Sequence, residues 1–161
     1  MIDNEIIMGQ LTAVLKEGYD GPGTPWSYFT DARPDAGLTG TLKGLSASDA
    51  SRSVAGLSIV AHVHHVTFGM NASADWIRGD HTPKEWKESW SIISVDDQGW
   101  VKLQQALTEA FNNLRQAITF HSSDSAHSFG GAIGSIAHLA YHLGAIRQKV
   151  FLLGRKNVVF S

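Results

Sequence analysis

Residues 131–153 read GAIGSIAHLAYHLGAIRQKVFLL. Ile136, Leu139, Leu143, Ile146 and Val150 recur at intervals of three and four, so they share one side of an α-helix that faces a core. His138 and His142 stand four apart, which projects both imidazoles from one face, one turn apart. That spacing lets two rings grip one metal ion from the same side. At about 100° per residue, the histidine face also carries Gly131, Gly134, Ser135 and Ala145, all small. Gly154 follows as a stop.

Working outward, a second stretch carries the same signal. From Leu57 to about Ile77 the apolar set Ile59, Val63, Val66, Met70 and Ile77 keeps one helical face, with Ser46-Ala47-Ser48-Asp49 upstream as a cap. Three of the eight histidines of the chain fall here, at 62, 64 and 65. His65 and His62 lie about 60° apart, and both can face the 138/142 pair; His64 lies about 100° from His65 and points elsewhere. The face centred on His65 holds Ser58, Ala61, His62, Gly69 and Ala72, again a column of small side chains. We rank His65 first as a partner of the pair and His62 second.

The remaining chain supplies two more helices. Residues 3–17 place Ile7, Leu11, Val14 and Leu15 at helical spacing, with Gly18 as a stop, and Ser94-Val95-Asp96-Asp97 opens a helix running to about Phe120 with Leu103, Leu107, Phe111, Leu114 and Ile118 as its stripe. Residues 20–45 are rich in Gly, Pro, Asp and Thr and read as a long connection, with Trp26, Tyr28 and Phe29 folded back onto the bundle. Gly79, Pro83 and the stretch to Trp90 read as a loop with one helical turn. The expectation is an all-α, four-helix bundle with long connections, antiparallel neighbours and a single domain over 161 residues.

Composition narrows the function. With no cysteine, the chain has no disulfide, thiolate metal site, cysteine nucleophile or iron–sulfur cluster. A net charge of −2, with thirteen basic residues scattered among fifteen acids, argues against nucleic acid or an anionic membrane as partner. The opening MIDNEIIMGQ carries acids where a secretory signal carries Lys or Arg, so a cytoplasmic location is expected. There is no Glu-x-x-His repeat of a di-iron bundle and no His-Glu-x-x-His zinc helix.

Three neutral imidazoles without a carboxylate suit a divalent ion, zinc or nickel first and iron, cobalt or manganese after them. Three protein ligands leave coordination positions open, as in a catalytic site. The spacing alone leaves a plainer reading open, in which small residues let helices approach closely and each buried histidine has a hydrogen-bond partner.

Ser58-Ile59-Val60-Ala61-His62-Val63-His64-His65 and Ala137-His138-Leu139-Ala140-Tyr141-His142-Leu143-Gly144-Ala145-Ile146-Arg147-Gln148 together resemble two patterns of the DinB/YfiT-like metal-binding four-helix bundles. These are a Ser-Ile-then-His helix with the ligand seven residues after the serine, and a His-x-x-x-His-x-Gly-x-Ile helix. The resemblance implies a bundle of that type with metal ligands His65, His138 and His142. It also implies a thiol-dependent transferase, or an isomerase using a low-molecular-weight thiol. Metal-assisted hydrolysis, with Glu85 or Glu88 shuttling the proton, is the runner-up, and a non-catalytic bundle that binds a metal or ligand is a third reading. Trp76, Tyr141 and Arg147 are candidates for shaping a small-molecule substrate site, and a homodimer is a further expectation; no catalytic residue is assigned.

Overall fold

The computed structural model describes residues 3–154. Four long helices, α1 (Asn4–Asp20), α4 (Ile59–Ile77), α5 (Asp97–His121) and α6 (Ala126–Leu152), are joined by connections that hold the short helices α2 (Leu38–Leu42) and α3 (Ala47–Ser51) and a 3-10 turn, Trp86–Trp90. No strand occurs among the described residues. No helix there is long and apolar enough to cross a membrane.

Each long helix starts at an oxygen-bearing cap, which satisfies a backbone N–H that has no partner inside the helix. Asp3, Ser58, Asp96 and Ser125 accept from the N–H of Glu5, Ala61, Gly99 and Ser128. Three boundaries differ from the sequence expectation. Ser46 caps only the five-residue α3, accepting from Asp49 N–H, and the long helix waits for Ser58. Helix α6 begins at Ala126 because Ser125 caps it inside what reads as a polar break. Gly18 does not stop α1; it lets Leu139 approach, since a Cβ there would lie 3.0 Å from Leu139 Cδ2, and the stop is Gly21 at φ 103°.

One buried apolar cluster draws on all four long helices, with Leu15 and Tyr19 from α1, Val63 and Val66 from α4, Leu107 and Leu114 from α5, and Leu139 and Ile146 from α6 among its members. Tyr19 stacks on Phe111 with ring centroids 3.8 Å apart and donates to Thr108 Oγ1 at 2.9 Å. Helix α4 is apolar nearly all round and is correspondingly buried on nearly all sides. It packs on α5 and α6, and α1 packs on the same two, so α1 and α4 sit at opposite corners.

Neighbours are not all antiparallel, and this difference positions the site. His62 and His65 face His142 and His138, so α4 and α6 run antiparallel. Ser58 lies beside Ile93 and Asn71 beside Asn113, so α4 and α5 run parallel. Gly18 against Leu139 and Met8 against Ser122 make α1 and α6 parallel as well. Two parallel neighbours joined in sequence need a connection that travels back along the bundle. Residues 78–96 do this, carrying the 3-10 turn past the middle of α4. Only the short 122–125 link forces its helices antiparallel.

The long connection after α1 is held by one buried carboxylate. Glu17 accepts from the backbone N–H of Tyr28, Phe29 and Thr30 at 2.8, 2.9 and 2.9 Å and from Thr30 Oγ1 at 2.9 Å. Burial works to raise its pKa, but the four donors outweigh it and hold the carboxyl below its ordinary value. Trp26, Tyr28 and Phe29 fold back onto the outer side of α1, with Tyr28 OH bonded to Gln10 and Phe29 against Gly18, and their rings stay between two-fifths and about half exposed.

Candidate metal centre

His65 on α4 and His138 and His142 on α6 come together across the antiparallel seam. One ring nitrogen from each lies within 4.8 Å of the others, and His65 Nε2 stands 3.0 Å from His138 Nε2. A metal–imidazole bond of about 2.0–2.1 Å in a tetrahedral site sets donors roughly 3.3 Å apart, so small ring rotations reach a binding arrangement. His65 and His142 are buried and His138 half-buried. The small residues expected around the rings make the approach possible. A Cβ on Gly69 would stand 2.7 Å from His138 Cε1, so the ring occupies space that only glycine leaves.

The 3-10 turn supplies an outer layer. Ser89 is fully buried, and its hydroxyl donates to Trp86 O at 2.6 Å, leaving the oxygen to accept from His65 Nδ1 at 2.7 Å. With the proton on Nδ1, the lone pair of His65 is on Nε2, the atom that faces His138. Trp90 stacks on the His65 ring at 3.9 Å and 13°, closing one side of the site to water. His64 points away, donating from Nδ1 to Ser89 O at 2.7 Å. Sequence reasoning missed Ser89 and Trp90. A serine in a polar, tryptophan-bearing loop carries no periodic signal, and only the course of the return connection places it.

His62 lies outside the three-histidine group but touches it, with its Nδ1 3.1 Å from His142 Nδ1. The other three histidines are elsewhere: His121 pairs with Asp124 at 3.0 Å, and His81 lies tilted against the Trp76 ring at 4.1 Å, near His127. Among the remaining candidates, Tyr141 sets its ring edge-on to His142 at 5.0 Å and is largely exposed. Arg147 pairs with Asp31 of the long connection. Glu85 and Glu88 face solvent on the return connection and are not in the donor group.

Trp76 lines a cleft of about 340 Å³ further along the same seam. The cleft is bounded by Ala72, Trp76, Lys84 and Trp86 on one side and by Gly131, Gly134 and Ser135 on the other. Gly134 precedes His138 by about one helical turn, and the Trp86 ring lies 6.1 Å from that of His65, so the cleft adjoins the histidines.

The imidazoles are held neutral. Burial pushes His65 and His62 down to about 4 and His142 to about 3, and lowers His138; nearby imidazoles add to the effect at His65 and His142, and Lys149 adds to it at His62. An unfolded chain takes protons on His62, His65 and His142 below about pH 6.5, and the folded chain does so only near pH 4 or lower. Protons therefore favour the unfolded state in that window. The metal-free chain is expected to be most stable above pH 6.5 and to lose on the order of a few kcal/mol as pH falls to 4. Urea midpoints of chelator-treated protein at pH 7.5 and 4.5 check this; equal midpoints would mean the rings are solvated.

Comparison of the chain with protein-family models, with curated proteins and with solved structures finds no match.

Proposed function

We propose that the chain is a metal-dependent enzyme of the DinB/YfiT-like type, holding a divalent ion with His65, His138 and His142 and transferring a low-molecular-weight thiol to an electrophilic small molecule. The observation that carries the reading is the polarity of the Ser89–His65 hydrogen bond, which leaves a lone pair on the nitrogen facing the other two rings. A ligand needs its second nitrogen oriented from behind and its first without a proton of its own; here that first nitrogen, His65 Nε2, accepts from His138 Nε2 at 3.0 Å, and an ion would take the place of that hydrogen bond. When bound, a divalent ion supplies Lewis acidity and lowers the pKa of a coordinated thiol or water toward neutrality.

The chain's own residues do the rest. Trp90 screens His65 from water, and the cleft between Trp76, Trp86 and Gly134 offers a half-apolar wall for a small substrate beside the histidines. The donor group contains no carboxylate, so the acceptor for the proton of a bound thiol, or of a bound water, lies outside the three histidines. Without cysteine in the chain, the thiol comes from solution.

The test is turnover of a chromogenic aryl halide by zinc- or nickel-loaded protein, with and without a small thiol. Sulfur bonds to carbon, halide leaves with the electron pair of the broken bond, and the thiol proton goes to buffer. Activity needing both metal and thiol supports the proposal. Ester or amide cleavage that proceeds equally without thiol moves the assignment to a hydrolase.

A further inference from the structure

We infer that His62 is a positioning residue for the metal site, accepting a hydrogen bond from His142 Nδ1–H and so fixing His142 in the tautomer that presents Nε2 to the ion. The inference rests on the metal-binding reading above and concerns a residue outside the three-histidine group.

The two Nδ1 atoms stand 3.1 Å apart and both rings are buried, so one proton lies between them and its side decides what His142 can do. If His62 donates, neutral His142 carries its own proton on Nε2 and spends its only lone pair on His62. Nothing remains for an ion. If His142 donates, its Nε2 lone pair is free and His62 is the acceptor. A bound ion is therefore compatible with one polarity alone.

The arrangement is built rather than incidental. His62 precedes His65 by three positions on α4, and His142 follows His138 by four on α6, so an antiparallel seam that opposes His65 to His138 also opposes His62 to His142 one turn along. The Trp90 ring meets His62 edge-on at 5.6 Å and stacks on His65, so one indole contacts both. Two of the three ligand rings then have an outer hydrogen-bond acceptor, Ser89 for His65 and His62 for His142, while His138 is placed by the bare backbone at Gly69.

Zn²⁺ affinity of the full chain, measured at pH 7.5 by competition with a chromophoric chelator, tests this with His62→Leu and His62→Asn. Leucine fills similar space without an acceptor, and asparagine sets an amide oxygen near the place of Nδ1. His62→Leu is expected to weaken binding 10- to 100-fold, the usual range for losing an outer partner, and His62→Asn to return to within about three-fold of the wild type. Wild-type affinity in His62→Leu overturns the inference, and so does an equal loss in both variants, which makes His62 a ligand or a space-filler. A wild type that takes up no Zn²⁺ fails differently, because it overturns the metal reading itself. Should the leucine variant not fold, long-range ¹H–¹⁵N spectra of the zinc-loaded wild type decide: protonated Nδ1 on His142 and bare Nδ1 on His62 support the inference, and the reverse contradicts it.

Discussion

A His142→Ala chain is expected to bind Zn²⁺ or Ni²⁺ at least a hundred-fold more weakly than the wild type. Zinc sites in small folded peptides are worth about 10–16 kcal/mol in total, so one ligand of three carries roughly 3 kcal/mol or more, and each 1.4 kcal/mol is tenfold in affinity. No carboxylate in the donor group stands ready to replace the lost ring. The same substitution removes the imidazole pushed furthest down by burial, to about 3, so the acid-induced loss of stability should shrink. Chelator competition at pH 7.5 and urea midpoints at pH 7.5 and 4.5 read the two effects separately. Unchanged affinity would show that His142 is a core histidine satisfied by His62.

Gly69→Ala is expected to separate metal binding from folding. The added Cβ would lie 2.7 Å from Cε1 and 3.0 Å from Nδ1 of His138, a separation no real contact tolerates, so the imidazole must swing away from His65 Nε2. Affinity for the ion should fall about ten-fold or more, as it does when a ligand's support is lost. Gly69 lies inside α4, where alanine is about 1 kcal/mol better than glycine, so the helix itself gains. The metal-free variant should stay within about 1 kcal/mol of wild-type stability while the loaded one loses the extra stabilisation that binding confers. Melting curves with and without Zn²⁺ make the comparison. Full metal-induced stabilisation in Gly69→Ala would remove His138 from the ligand set.

The parts of this site that follow from local geometry were legible in the sequence. An i, i+4 pair fixes where His138 and His142 project whatever surrounds the helix, and the small residues beside them, Gly69 above all, are where the rings find room. The choice between His62 and His65 was not fixed by spacing, because both face α6, and it takes the register of the two helices to oppose His65 to His138. Cap chemistry misled for a related reason. Ser46 and Ser58 carry the same local signal, and only packing decides that the first opens one turn and the second a long helix.

What lay furthest from view was whatever depends on the route of the chain. The parallel pairing of α4 and α5 follows from a connection long enough to return along the bundle, and hydrophobic periodicity does not record direction. Ser89 and Trp90 reach His65 by that route alone. Glu85 and Glu88 ride on the same connection and remain at its solvent face, which weakens the case for a proton shuttle. Arg147, a candidate for the substrate site, ties α6 to Asp31 of the first long connection.

Elemental analysis of the full chain purified without a histidine tag tests the central claim most directly. The account predicts close to one divalent ion per chain, as isolated or after incubation with Zn²⁺, Ni²⁺, Fe²⁺, Co²⁺ or Mn²⁺ and removal of excess. Less than a tenth of an ion per chain with every one of these metals would contradict it, leaving His65, His138 and His142 as core histidines packed across a helix seam.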